Sequence, residues 1–283
     1  MKREMKVKVK EMHSRLDSYV ASLLHQELAK ATVHKYKRDV NKFLEFVGNK
    51  ESLKKSDVME YKYFLISRHK AATVNSYLIA INKYFGWLEK EQLAVKTIRM
   101  QRKSSLENVI SETEYWKLVD VCKKNHEHRD YLILRTLAAT GIRISELPYI
   151  TVEAIIAGTV EVHKKGKSRA VIIPTELAPR LLKYCKAQGI ESGCVFKGNN
   201  NHRSLHPTSV WKILKRIALE AGVRQEKVYP HSLRHLFAKT YMRKFGNIFE
   251  LADLLGHSSI ETTRLYTLTT TYEKRKSVNS LNL

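Results

Sequence analysis

Apolar side chains in the first hundred residues recur at steps of three and four, a period that commits this part of the chain to helices. Met12, Leu16, Val20, Leu23 and Leu24 form one series, and Val33, Tyr36, Val40, Phe43, Leu44 and Val47 form another. A backbone turning about 100° per residue puts each series on one stripe, which a lone helix cannot shield from water. On the second helix Lys35, Arg38 and Lys42 repeat at the same steps and fall opposite the stripe. That face is either simply solvated or a surface for phosphates. Ser56 is expected to cap a third helix carrying Leu65, and Thr73 to precede a fourth with Val74, Leu78, Ile81, Phe85 and Leu88. Four helices with short connections predict a small bundle-like domain over residues 1–95.

After Gln92 the periodicity fades and Lys96, Arg99, Arg102 and Lys103 gather, so residues 96–108 read as a basic linker. Ser111-Glu112-Thr113-Glu114 then has the spacing of a capping box, with a helix running toward Lys124. Tyr131, Leu134, Leu137 and Ala138 mark another helix, ended by Gly141. Two β-branched runs follow, Thr159 to His163 and Ala170 to Ile173, joined through Lys164–Arg169. They predict a hairpin whose turn carries Lys164, Lys165 and Lys167. Helices resume from Thr175, Thr208 and Ser232. The expected fold class is mainly α with one small antiparallel β-sheet, the second domain being α+β and spanning residues 109–283.

Charge narrows the function. Of 283 residues, 51 are Lys or Arg and 28 Asp or Glu, a formal charge of +23. Residues 1–100 hold 21 basic and 11 acidic side chains, and the remainder 30 and 17, so both domains are positive. That distribution suits a polyanion gripped by both halves, with nucleic acid the leading candidate. A hydrophobic content of 43% argues against a disordered polycation. The longest apolar run, Tyr77 to Ile81, is far short of the ~20 residues that span a bilayer. The Lys-rich start has no apolar segment behind it, so neither a membrane partner nor a signal peptide is expected. Three cysteines without paired spacing (Cys122, Cys185 and Cys194) fit a reducing cytoplasm. Cys122, His126 and His128 have no second ligand pair, and no glycine-rich phosphate loop occurs, so no metal or cofactor is expected.

The second domain instead sets cations at marked positions. Arg143 follows the helix-ending glycine in Thr140-Gly141-Ile142-Arg143-Ile144-Ser145-Glu146-Leu147, with Glu146 three residues on and able to orient it. Lys165 precedes Gly166 in the hairpin turn. His231-Ser232-Leu233-Arg234-His235 sets a histidine and an arginine one helical turn apart. Leu254-Leu255-Gly256-His257-Ser258-Ser259 leads, nine residues after its histidine, to Tyr266. Singly these read as a helix-end charge, a cationic turn, a cap and a core aromatic.

Together and in this order they resemble the tyrosine recombinase/integrase family across nearly the whole chain, in the compact, Xer-like two-domain form. The resemblance implies a SAM-like core-binding domain followed by a catalytic domain. It implies that Arg143, Lys165, His231, Arg234, His257 and Tyr266 are the active-site residues, with Glu146 supporting. It also implies a 3′-phosphotyrosyl intermediate and a free 5′-hydroxyl, with four protomers, identical or of two kinds, on double-stranded DNA with paired recombination sites. The residue types agree. A phenol with a free pKa of ~10 retains the phosphate as an ester once its proton is removed. Two guanidiniums suit the non-bridging oxygens, His231 suits the phenol's proton, His257 suits a hydrogen bond to the phosphate, and Lys165 suits the leaving oxygen. Tyr272 is the competing nucleophile, and Leu268, Tyr272, Val278 and Leu281 are the apolar residues of a tail expected to dock on a neighbouring protomer. Two other readings stand beside this one: a type IB topoisomerase, which the small first domain and the LGHSSIxTT run oppose, and a DNA-binding protein without catalysis, which the full residue set opposes.

Overall fold

The computed structural model describes residues 9–100, 108–126, 128–164, 167–198, 204–257, 259–266 and 279. The chain divides into two compact units, Met1–Arg102 and Lys103–Leu283.

The first unit holds α1 (Val9–His25), α2 (Lys30–Val47), α3 (Lys55–Arg68) and α4 (Ala71–Trp87). Its core is the expected set, with one rotation on α1: Tyr19 is buried whereas Leu24 is 48% exposed. The stripe therefore runs Val9, Met12, Leu16, Tyr19, Leu23, and Tyr84 closes it by donating a hydrogen bond from its hydroxyl to the Met12 carbonyl. Two helix starts differ from expectation. Asp57 accepts from the Lys54 backbone N–H at 2.7 Å, so α3 begins before Ser56 and that serine sits in its first turn. Thr73 likewise lies inside the first turn of α4, where its amide and that of Val74 donate to the Lys70 carbonyl. Beyond α4 the chain stays attached. The Asn82 side chain pairs with both backbone groups of Val95, and Asn75 does the same with Ile98, imitating a strand partner on a helix face. Residues 96–98, at the head of the stretch read as a linker, are thus tied to the first unit.

The second unit holds α5 (Glu112–Lys124), α6 (His128–Thr140), α7 (Val152–Ala157), β1 (Thr159–Lys164), β2 (Lys167–Ile172), α8 (Ala178–Ala187), α9 (Pro207–Glu220), α10 (Pro230–Phe245), α11 (Ile248–Leu255) and α12 (Ile260–Arg264). The capping box forms as read: Ser111 Oγ accepts from Glu114 N at 3.1 Å and the Glu114 carboxylate accepts from Ser111 N at 2.8 Å. Helices α8 to α10 each carry a proline in the first turn (Pro179, Pro207 and Pro230) and do not begin at the expected Thr175, Thr208 and Ser232. Pro230 opens α10 because its missing N–H would have had no intrahelical partner there. The hairpin pairs further than expected, from Thr159 with Ile172 to Lys164 with Lys167, with residues 165 and 166 outside the described set. Directly paired residues share a face, so Val160, Val162, Arg169 and Val171 lie together on the inward side. The architecture is mostly helical around this one two-stranded sheet, and no described helix is long and apolar enough to cross a membrane.

Candidate active site

Helix α6 ends where Gly141 takes φ +60°, a backbone state an L side chain resists. The glycine is needed twice, because a Cβ there would stand 2.7 Å from the Phe237 ring on α10. The sharp exit delivers Arg143 at the head of a short 3₁₀ turn, Ile144–Tyr149, whose Glu146 is 1% exposed. Glu146 accepts from the Arg143 amide at 3.0 Å and from its guanidinium at 2.9 Å, the orienting role read from the spacing. The oxygen that takes the amide, Oε2, also accepts from Arg169 Nη2 at 2.6 Å. Burial alone would raise the Glu146 pKa, but the Arg143 hydrogen bonds and the Arg169 charge outweigh it and hold the carboxylate below its usual range.

Helix α11 closes the site from the other side. Its last carbonyls lie beyond any intrahelical partner, and the arginines satisfy them. Arg169 Nη1 donates to the Leu254 carbonyl at 2.5 Å, Arg234 Nη2 to Leu255 at 2.5 Å, and Arg143 Nη2 to Gly256 at 3.0 Å. Arg234 is 4% exposed and its Nη1 also donates to the Gly141 carbonyl at 2.7 Å. Burial, then the Arg143 and Arg169 charges, pull its pKa down to about 10, so it remains a cation at neutral pH. Two guanidiniums thus share one carboxylate and a third stands on the neighbouring carbonyls, and the local excess of positive charge favours an anion.

His257 follows directly, with Nδ1 2.8 Å from the hydroxyl of the fully buried Thr263. Burial first, then Arg234, Arg143 and Arg169, lower its pKa to about 4, which leaves the ring neutral. His231, one turn before Arg234, keeps an exposed edge, yet desolvation and then the Arg234 and Arg143 charges lower its pKa too. Tyr266 comes just after α12, its hydroxyl 2.6 Å from His235 Nδ1. Burial raises the phenol pKa to about 12 despite the opposing charge of Arg234.

The structure therefore brings together Arg143, Glu146, Arg234 and His257 of the expected set, with His231 and Tyr266 on the same charged neighbourhood. Lys165, Arg102, Lys103 and the tail residues Leu268, Tyr272, Val278 and Leu281 lie outside the described residues. Lys164 and Lys167 form the last backbone register pair of the hairpin. In the first unit Lys35 and Arg38 are engaged with the buried Asp39, at 2.5 and 3.0 Å, and Lys35 also reaches the Ser76 carbonyl on α4. That face is accordingly not wholly free for phosphates. Lys42 lies over the Tyr77 ring, with Nζ 3.3 Å from its hydroxyl. Among the described residues no group of three His, Cys, Asp or Glu side chains has the proximity of a metal site.

Two site residues escaped the sequence reading. Arg169 falls in the stretch that reads as the hairpin turn, yet its place two residues before Val171 sets it on the inward face. His235 stands in the quoted HSLRH run, four residues after His231 and so on the same side of α10.

The profile of the phage integrase family matches residues 108–272, more than half of the chain, and that of the integrase N-terminal SAM-like domain matches residues 16–92. The chain belongs to the phage integrase family, the tyrosine recombinases. Among its relatives, the tyrosine recombinase XerA of Pyrococcus furiosus is 30% identical over 275 residues, covering 95% of this chain and 94% of the relative. A tyrosine recombinase of Thermosipho africanus is 30% identical over 268 residues, covering 88% and 93%. A crystal structure of XerH site-specific recombinase bound to difH substrate, a pre-cleavage complex, shares the fold with a TM-score of 0.73 at 21% identity, over 94% of this chain and 83% of that one. Such coverage in both directions shows a recombinase of ordinary build for this family, a helical SAM-like domain followed by a mixed catalytic domain.

Proposed function

We propose that this recombinase cuts and rejoins DNA strands at paired sites through a 3′-phosphotyrosyl bond to Tyr266. The observation that carries the reading is Arg143 and Arg169 on Glu146 with Arg234 on the adjoining carbonyls, in the charged neighbourhood of a half-buried tyrosine. A phosphate entering there meets Arg143 and Arg234, each already fixed by backbone carbonyls, so little reorganisation remains when charge builds up in the five-coordinate transition state. His257 supports the same role. In the tautomer in which Nδ1 accepts from the Thr263 hydroxyl, 2.8 Å away, the ring proton lies on Nε2 and a neutral imidazole donates to the phosphate. Tyr266 attacks phosphorus, His231 takes the phenol's proton, and the bond to the 5′ oxygen breaks. Lys165 supplies that oxygen with a proton, which leaves a 5′-hydroxyl able to reverse the step on a partner strand. The three arginines and two histidines provide this chemistry by charge and proton transfer, and the reading calls for no metal.

Both units carry excess positive charge, so both are assigned to the duplex. Exchange between two duplexes needs two cuts in each, hence four protomers, of one kind or two, on double-stranded DNA with paired recombination sites. A type IB topoisomerase reading is not favoured, since that enzyme relaxes DNA without paired sites. The test begins with selection of the bound sequence from random duplexes. A supercoiled plasmid carrying two copies of it should be resolved, and one carrying none should stay supercoiled. Relaxation of the plasmid that lacks the site would overturn the proposal in favour of a topoisomerase, and binding without strand cleavage would leave a DNA-binding protein.

A further inference from the structure

Tyr266 sits in a small apolar cluster, apart from the main core of its unit, formed by Ala238, Leu251 and Leu255 with Phe237, Tyr241 and Met242 packed against it. From this seat its hydroxyl makes a 2.6 Å hydrogen bond with His235 Nδ1, the ring centroids being 5.6 Å apart and the planes inclined by 49°. The sequence pointed to His231 as the partner of the phenol. Both histidines lie on one side of α10, flanking Arg234 at steps of three and one, yet His235 is the one that meets the hydroxyl.

We infer that His235 fixes the Tyr266 hydroxyl for attack on the phosphate, holding the oxygen in place through Nδ1 without taking its proton. The inference rests on the reading of Tyr266 as the nucleophile. Three features support it. The contact is direct and made to the reacting atom. The tyrosine ring is held on its apolar side by α10 and α11, so one polar contact suffices to set the direction of the hydroxyl. Finally, both groups are in their neutral forms: burial first, then His231, Arg234 and Lys239, lower the His235 pKa to about 4, while that of Tyr266 is about 12. Full proton transfer from the phenol to the ring is therefore disfavoured, and the two groups meet as neutral hydrogen-bond partners. The proton passes to His231, one turn earlier on α10, as phosphorus takes up the oxygen.

The geometry of side chains supplies the test. Asparagine carries a polar atom as many bonds from Cβ as histidine Nδ1, glutamine carries it one bond further, and leucine fills the space with none. Full-length His235→Asn, His235→Gln and His235→Leu proteins are compared on a nicked suicide duplex bearing the selected site, with a normal or a 5′-bridging phosphorothiolate scissile bond. His235→Leu and His235→Gln should slow covalent adduct formation about 100-fold on both substrates, the cost of a misplaced nucleophile, with DNA affinity unchanged. His235→Asn should stay within about tenfold of the wild type. Should His235→Leu fail to fold, the contrast between Asn and Gln carries the same comparison. Wild-type rates in His235→Leu would overturn the inference, and so would His235→Asn as slow as His235→Leu, since the ring would then be needed to carry a proton. Tyr266→Phe run alongside separates the two claims. An adduct persisting there would overturn the nucleophile assignment, whereas its loss beside a fast His235→Leu would overturn the role of His235 alone.

Discussion

Glu146→Ala should be among the most damaging single substitutions in the catalytic unit. The carboxylate is 1% exposed and serves two guanidiniums at once, Arg143 at 2.9 Å and Arg169 at 2.6 Å, while also accepting the Arg143 amide. Removing it leaves the Arg169 side chain, itself 11% exposed, with an uncompensated charge facing a second arginine. Losing one partner of a buried pair costs about 3–5 kcal/mol. In a unit of this size each kcal/mol moves Tm by roughly 2–4 °C, so the expected drop is about 10 °C. Glu146→Gln keeps acceptors for the same donors and should lose less. Acid discriminates further. The folded Glu146 pKa lies below its ordinary value of 4.5, so its stabilisation is complete above about pH 4.5 and disappears as pH falls through the folded pKa. Calorimetry at pH 7 and again near pH 3 should therefore show the gap between wild type and Glu146→Gln closing in acid. A Glu146→Ala protein melting within 2 °C of the wild type at pH 7 would refute the ion-pair argument.

Gly256 takes φ +59° and its missing side chain leaves room for the Arg169 stem, so Gly256→Ala should lower stability by about 1–3 kcal/mol and slow adduct formation while DNA binding persists; an unchanged melting curve would count against this. Lys165→Ala should cripple cleavage of normal DNA but much less that of a 5′-bridging phosphorothiolate, whose sulfur leaves without a proton, and equal loss on both substrates would make Lys165 a binding residue. DNA affinity should fall about 10³–10⁵-fold between 50 and 200 mM salt if six to ten phosphates are contacted. Within the first unit, Lys42→Ala should reduce the salt slope by about one, whereas Lys35→Ala should chiefly lower stability, because Lys35 is engaged with the buried Asp39. The reverse pattern would return Lys35 to the DNA surface.

Much of this was legible in the sequence, for physical reasons. A helix stripe is a local periodic signal, so the cores of α2 and α4 could be read directly, and the Ser111–Glu114 box could be read because both hydrogen bonds span three residues. Gly141 and Arg143 were visible because a helix stop followed by a cation is also local. What escaped was set by partners distant in sequence. Lys35 resembles a solvated cation until the Ser76 carbonyl on α4 is placed beside it. Arg169 resembles a turn residue until β2 packs on α11 and the Leu254 carbonyl needs a donor. His235 resembles a spare histidine until Tyr266 arrives 31 positions later. Helix starts shifted where an acidic N3 residue or a proline outcompeted a hydroxyl cap, a contest of a few tenths to about 1 kcal/mol that spacing alone does not decide.

The central claim is that Tyr266 becomes covalently joined to DNA, and the most direct measurement is adduct formation on a nicked suicide duplex carrying the selected site. Tyr266→Phe removes a single hydroxyl and keeps the ring among Ala238, Leu251 and Leu255, so folding and DNA affinity should barely change. The wild type and Tyr272→Phe should form a covalent protein–DNA species whose tryptic peptide maps to Tyr266, and Tyr266→Phe should form none. An adduct persisting in Tyr266→Phe, or one mapped to any other residue, would contradict the account.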